Sequence, residues 1–215
     1  MAGRRSYGDP CGVARALDVI GERWALLVVR ELLFGPKRFT ELSRGLPGMS
    51  QNVLAVRLRE LEIDGVVRNH RLGPPASTRV YELTERGYQL EELLVGLSRW
   101  GRGVPLDGIE VIPRRSADAL VLELISTFDP GRAGTVRMRV ELCVEGDRFH
   151  AEIADGVFTI ARGEARDADV ALDADVAAMY AVIVEKVPLG EASRSRGVLV
   201  TGDQRLAARF VHCFG

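Results

Sequence analysis

At 215 residues, with 47 % apolar and 27 % charged side chains, the chain has room for one large domain or two ordinary ones and the balance of a globular protein rather than a disordered one. Its formal net charge of −1 selects no partner, but residues 1–103 carry 16 Lys and Arg against 12 Asp and Glu, or +4, while residues 104–215 carry 13 against 18, or −5, so the first half is the one suited to a polyanion. Cys11, Cys143 and Cys213 are odd in number and scattered, which excludes a CxxC zinc site or a disulfide framework, and no apolar run approaches the roughly 20 residues that span a bilayer.

The N-terminal MAGRRSYGDP has basic residues, Arg4 and Arg5, but no apolar stretch behind them, so it does not read as a signal peptide and a cytoplasmic protein is expected. A helix is predicted from Cys11, with Val13, Ala14, Leu17, Val19 and Ile20 at its apolar positions and Gly21 as its interruption. Trp24–Phe34 (WALLVVRELLF) is nearly all apolar and reads as a helix buried on most sides. Gly35-Pro36 ends it, leaving Lys37 and Arg38 at the turn.

The stretch Thr40–Gly65, TELSRGLPGMSQNVLAVRLRELEIDG, predicts a helix-turn-helix. Thr40 is positioned to cap the first helix, Pro47-Gly48 turns the chain, Ser50 caps the second helix and Gly65 stops it. Leu54, Leu58 and Leu61 make an inward stripe. The opposite side carries Asn52, Ala55, Val56 and Arg59, with Gln51 at the tip. An ordinary amphipathic helix would carry Lys and Glu there. Amides, a guanidinium and small apolar groups are instead the set that reads base edges and thymine methyls in a major groove. Arg59 suits either a phosphate or guanine. Arg57, near the core edge, is expected in an intramolecular ion pair.

Val66–Leu72 and Thr78–Thr84 read as strands joined by Gly73-Pro74-Pro75-Ala76-Ser77, which makes the whole a winged helix. Arg68, His70, Arg71 and Arg79 place basic groups on the wing, near phosphates or the minor groove. With Lys37, Arg38, Thr40 and Ser50, the residues His70, Arg71 and Arg79 form the expected set of backbone contacts. Thr84 should cap a helix Glu85–Arg102 with a broad apolar stripe, Leu90, Leu93, Leu94, Leu97 and Trp100.

The runs CGVARALDVIGERWALLVVRELLFGPKRF, ELSRGLPGMSQNVLAVRLRELEIDGVV and RVYELTERG, in that order over about residues 11–101, resemble the HxlR-type winged-helix transcriptional regulators of bacteria. The resemblance implies a homodimer formed by the terminal helices, here the one starting at Cys11 and Glu85–Arg102. It also implies one recognition helix in each half of a palindromic double-stranded operator. Bulky Val56 departs from the polar residues expected on that face. Some regulators of this type respond to electrophiles through a cysteine at the position of Cys11. A helix N-terminus and nearby Arg4, Arg5 and Arg15 favour a thiolate there, whereas a small residue buried at the dimer contact is the plainer reading.

Val104–Ser116 has two prolines and little periodicity, so the predicted division is 1–103, a linker 104–116 and a second domain 117–215. There a helix Ala117–Phe128 is followed by a period-two strand, Val136–Val144, and by Arg148–Ala154 and Val157–Arg162 after the turns Glu145-Gly146-Asp147 and Asp155-Gly156. These strands form an antiparallel meander. A strand Asp169–Leu172, a helix Asp175–Val184, a strand Gly197–Val200 and a helix Gln204–Phe214 complete an α+β domain with helices on one face of a sheet. FHAEIADGVFTIARGEARDADVALDAD and GVLVTGDQRLAARF resemble the sterol-carrier-protein-like domains, which implies an apolar cleft for a lipophilic molecule between sheet and helices. In place of that family's glycine-rich loop stands KVPLGEASRSRG, with nothing in it that marks a ligand. Met138, Phe149, Phe158, Phe210 and Phe214 fit either a cleft lining or ordinary core.

His70, His150 and His212 do not cluster, so no metal is expected. No nucleophile motif, P-loop or dinucleotide fingerprint occurs, so neither a cofactor nor an enzyme is expected. The expectation is an α+β protein: a winged helix-turn-helix domain followed by a sterol-carrier-like domain. Its partners are operator DNA, a second subunit and a lipophilic effector, with no membrane insertion. The alternatives are a small-molecule carrier whose winged helix only dimerises, or a thiol-based sensor acting through Cys11.

Overall fold

The computed structural model describes residues 6–73, 78–105 and 116–215. Arg4, Arg5, the hairpin tip at 74–77 and most of the expected linker lie outside the described residues. The chain divides into two compact units, 1–94 and 95–215, with the boundary between Leu94 and Val95.

In the first unit α1 (Gly12–Ile20), α2 (Ala25–Leu32), α3 (Phe39–Gly45) and α4 (Gln51–Ile63) precede a hairpin of β1 (Val67–Arg71) and β2 (Arg79–Leu83), then α5 (Glu85–Tyr88) and the start of α6 (Glu91–Gly101). Gly21 ends α1, its amide still donating to the Leu17 carbonyl at 2.8 Å, and the position has no room for a side chain, since an added Cβ would stand 2.5 Å from that oxygen. The core is built by Val28, Val29 and Leu32 of α2, Leu42 of α3, and Leu54, Leu58 and Leu61 of α4. Within α1 Ile20 alone is buried, and Val13 is 68 % exposed. Val13 and Leu17 of that helix are therefore left largely to solvent.

Two boundaries differ from the sequence reading. Thr40 does not cap α3; the helix begins at Phe39, and the Glu41 carboxylate closes its N-terminus by accepting from the Arg38 amide at 2.6 Å. The single helix expected over Glu85–Arg102 is two, interrupted at Gln89 and Leu90. Thr84 does cap the first of these, accepting from the Gly87 amide at 3.2 Å.

The second unit has α7 (Ala117–Thr127), α8 (Pro130–Ala133), β3 (Met138–Val144), β4 (Asp147–Ala154), β5 (Val157–Arg162), β6 (Val170–Ala174), α9 (Val176–Ile183), α10 (Leu189–Ser195), β7 (Leu199–Gly202) and α11 (Gln204–His212). Both meander turns have consecutive left-handed residues, Glu145-Gly146 and Asp155-Gly156, the backbone that matches the twist of a two-residue hairpin. The five strands run in the order β5-β4-β3-β6-β7. The expectation of an antiparallel sheet fails at one ladder, since β3 and β6 pair in parallel. A chain that leaves the meander at β5 and returns to the other side of β3 must cross over, and its direction there is set by that crossover rather than by a turn.

Register puts Met138, Val140, Leu142 and Val144 opposite Ile153, Ala151 and Phe149 on one side and Val170, Leu172 and Ala174 on the other, all on the covered face. Arg139, Glu152 and Asp173 stand on the open face. Phe158, Phe210 and Phe214 pack edge to face and tilted, with centroids 4.8–6.4 Å apart, and Phe128 stacks on Phe158 at 5.4 Å. Met138, Phe149, Phe210 and Phe214 are fully buried and Phe158 is half-buried, so four of the five are core residues, and Phe214 lines a cavity as well. KVPLGEASRSRG, expected as a loop, contains α10.

Candidate nucleic-acid interface

The second helix of the helix-turn-helix is α4, the one expected to read DNA. Ser50 Oγ accepts from the Val53 amide at 3.3 Å, and Gly65, with φ of 68°, supplies the left-handed stop. Leu54, Leu58 and Leu61 face the core, which turns Gln51, Asn52, Ala55, Val56 and Arg59 to solvent along one stripe of the helix. Val56 is 53 % exposed. Two further apolar residues extend this face, Val53 in the first turn and Ile63 in the last. The sequence reading missed both, although Ile63 stands seven residues after Val56, the spacing of one helical stripe.

Among the described residues Arg59 has no ion-pair partner. Arg57, in contrast, is held by Glu60 and by Glu22, the latter at 3.5 Å, and lies 11 % exposed. The guanidinium facing outward is free for a ligand, and the one at the core edge is a structural pin.

The wing is fixed to this helix by main chain. Val66 follows the helix stop directly, and Thr84 Oγ1 donates to the Gly65 carbonyl at 2.6 Å and the Val66 carbonyl at 3.2 Å. Gly87 packs so close beneath that an added Cβ would stand 2.3 Å from the Val66 oxygen. A third strand-like piece joins the hairpin: Lys37 and Tyr81 exchange backbone hydrogen bonds at 2.9 and 2.8 Å.

The expected backbone contacts separate into two groups. Lys37 departs from the expectation of an available cation. Its ammonium lies 2.9 Å from Oε2 of the fully buried Glu31, whose other oxygen takes Arg30 at 2.9 Å. His70 turns toward Glu82, with Nδ1 3.8 Å from Oε2, and Arg68 donates to the same carboxylate at 2.7 and 2.9 Å. Arg38, Thr40, Ser50, Arg71 and Arg79 are exposed. Arg71 and Arg79 are direct partners in the register of the wing. Arg79 Nε donates to Asn69 Oδ1 at 2.6 Å, and Arg71 has no ion pair among the described residues. Two like charges placed opposite each other disfavour the free hairpin and favour an anion between or beside them. A stripe of base-edge chemistry beside paired guanidinium groups is what a DNA groove and its flanking phosphates require.

Cys11 stands at the N-cap of α1, exposed, and its thiol is held below the ordinary value by the amides of Val13 and then Ala14. Cys213 is buried and Cys143 half-buried on the open sheet face. Burial raises both, helped at Cys143 by Asp173. No group of three or more metal-ligating side chains occurs among the described residues, and none of the described helices is long and apolar enough to cross a membrane.

A family model described as HxlR-like helix-turn-helix matches residues 19–105. The Bacillus subtilis uncharacterized HTH-type transcriptional regulator YvaP is 40 % identical over 87 residues, which are 40 % of this chain and 80 % of that one. The B. subtilis HTH-type transcriptional regulator YodB is 36 % identical over 85 residues, 40 % of this chain and 76 % of that one. A crystal structure of quinone-bound YodB superposes with a TM-score of 0.37 at 33 % identity, covering 43 % of this chain and 97 % of that one.

Proposed function

Because the chain belongs to the HxlR-like helix-turn-helix family, whose relatives are transcriptional regulators, we propose that it is a cytoplasmic homodimeric repressor that reads a palindromic operator with α4. The observation that carries this reading is the solvent-facing stripe Gln51, Asn52, Ala55, Val56 and Arg59 beside a wing whose Arg71 and Arg79 stand opposite each other. Gln51 and Asn52 are the candidates for adenine, the methyl groups of Ala55 and Val56 for thymine, and Arg59 for guanine or a phosphate. The apolar residues left exposed on α1 and α6 are the candidate subunit contact: Val13, Leu17, Leu93 and Trp100.

The second unit acts in this proposal as a sterol-carrier-like effector domain, not as an enzyme. A lipophilic ligand that binds one dimer geometry better than another changes the spacing of the two recognition helices. Half-sites lie about 34–36 Å apart or at multiples of that distance, so a small rotation releases DNA. The test is anisotropy of labelled promoter fragments from the protein's own and neighbouring genes over a salt series. Regulator binding requires tight, salt-dependent association that Asn52→Ala and Arg59→Ala weaken. If both variants bind as the parent does, the reading fails and a carrier whose winged helix only dimerises takes its place.

Exposed Cys11 at the N-cap of α1, its thiol lowered by the nearby amides of Val13 and Ala14, favours a second input to the same regulator, thiol modification by an electrophile. Cys11→Ser should then keep operator binding and lose release by a quinone. Unchanged release in that variant removes this input.

A further inference from the structure

A cavity of about 350 Å³ opens in the second unit beside α8, the segment Lys186–Leu189 and α11. Phe214, a member of the phenylalanine cluster, also lines it. Val187, Pro188, Leu189, Ala208 and Val211 give it apolar walls. Arg132, Lys186 and His212 bring the cationic and polar groups to it. That volume sits at the small end of ligand pockets, roughly 300–1,000 Å³.

The cations are held there by built contacts. Lys186 Nζ donates to the Phe214 carbonyl and, at 2.6 Å, to the Ile183 carbonyl, while Arg132 donates to the same Phe214 oxygen at 3.3 Å. One carbonyl thus draws two positive side chains together. Arg209 fixes the Arg132 turn from α11 by donating to the Arg132 and Ala133 carbonyls at 2.7 and 3.2 Å. Asp129 lies 3.4 Å from Arg132, but among the described residues no carboxylate pairs with Lys186. Burial and then the neighbouring guanidinium lower the Lys186 ammonium below the ordinary lysine value. The backbone of Lys186 is left-handed, φ 61°, a conformation that glycine or asparagine adopts more readily than lysine. Strain of this kind persists where the surroundings hold a side chain in one place. This excess positive charge occurs in a half of the chain whose formal charge is −5, so it is a local feature and not part of a general basic surface.

We propose that this cavity binds a small organic carboxylate with an apolar body, its head group on Lys186 and Arg132 and its body against Val187, Leu189 and Val211. The proposal rests on the effector-domain reading and deepens it. It moves the site from the cleft between sheet and helices to the outer surface of α11, and it adds an anionic head to the ligand. A single negative charge is the match, because Arg132 is already shared with Asp129 and Lys186 is the ammonium without a carboxylate.

Titration calorimetry of the full-length protein with decanoate, and with decanol as the uncharged probe of the same length, tests it. Decanoate should bind once per subunit and at least about tenfold tighter than decanol, the size of effect a charge-assisted contact gives. Lys186→Asn, which suits the left-handed backbone, should bring decanoate down to the level of decanol. Arg132→Gln should weaken decanoate in the same direction, and Ala208→Phe, which fills the cavity, should abolish both. Absence of decanoate binding to the parent, or equal decanoate affinity in the parent, Lys186→Asn and Arg132→Gln, overturns the proposal. Decanoate bound with this pattern but without effect on operator affinity keeps the site and defeats the effector reading. Operator release by decanol in a protein that does not bind decanoate does the reverse.

Discussion

Arg71 and Arg79 face each other across the wing, and the second of them is tied to Asn69 by a 2.6 Å hydrogen bond. Facing cations cost the free hairpin a few tenths of a kcal/mol up to about 1 kcal/mol. In a complex the same pair neutralises phosphates. Arg71→Gln should therefore have opposite effects on the two states. It should leave the free protein as stable or slightly more stable in thermal melting. On DNA it should weaken binding to all sequences alike and reduce the slope of log affinity against log salt by about 0.9, the contribution of one phosphate. Loss of discrimination between sequences without a change in slope would place Arg71 on a base edge instead.

Glu31 is the second relationship with a measurable consequence. Its buried carboxylate joins Arg30 of the same helix to Lys37, and Lys37 carries the backbone bonds to Tyr81 that attach α2 to the wing. Glu31→Ala leaves two half-desolvated cations without their counter-charge, a change that costs about 3–5 kcal/mol when a buried pair is broken. The variant should melt at a markedly lower temperature and lose DNA binding through the wing's position. Lys37→Met, which removes a charge but keeps the stem, should cost less stability, because Arg30 still neutralises Glu31. If Lys37→Met instead reduces the salt slope without changing the melting temperature, Lys37 holds a phosphate after all.

The recognition helix was legible in the sequence because its determinants are local. Leu54, Leu58 and Leu61 repeat at helical spacing, Ser50 precedes them, and Gly65 follows, so the outward set could be read by subtraction. The wing strands were legible for the same reason. Lys37 was not, because its partner Glu31 sits inside an apolar run and becomes a buried anion only when α2 packs. The parallel β3–β6 ladder was equally hidden, since alternation reports which face a residue takes and not which strand lies beside it. The break at Gln89 and Leu90 falls just after Gly87, whose tight packing against the Val66 carbonyl is set by the tertiary fold and not by its neighbours in sequence. Lys186 shows a further limit: nothing local marks a lysine for a left-handed backbone, so a segment that read as featureless holds the cation beside the cavity.

The three thiols should separate by their pH dependence. The amides of Val13 and Ala14 lower Cys11, so its thiolate is present at a pH where an ordinary cysteine is still protonated. Burial raises Cys213, whose sulfur also faces the Arg209 carbonyl at 3.2 Å, and burial with Asp173 raises Cys143. As pH increases, alkylation by iodoacetamide should reach half its maximal rate first at Cys11, below the midpoint of free cysteine, and at Cys143 and Cys213 above it. Mass spectrometry of the native protein near neutral pH should find Cys11 modified and the other two spared. Modification of Cys143 before Cys11 would contradict the assignment.

Leu17 of α1 and Leu93 of α6 are 42 % and 43 % exposed, and beside them Val13 and Trp100 are more open still. Their spacing puts them on helical stripes, not on loops, so they form patches rather than scattered apolar residues. A leucine moved from water into a packed contact is worth about 1.5–3 kcal/mol, or about tenfold or more in a dissociation constant for each residue. In a two-fold symmetric contact each substitution is felt twice. If the proposed dimer forms through these stripes, Leu17→Asp combined with Leu93→Asp should convert it to monomer at micromolar concentration in sedimentation, while circular dichroism and the melting of the isolated subunit stay close to the parent. The same variant should bind a full operator no better than a single half-site, because two recognition helices no longer arrive together. If the double variant sediments as the parent does, the subunit contact lies elsewhere and the exposed stripes of α1 and α6 need another partner.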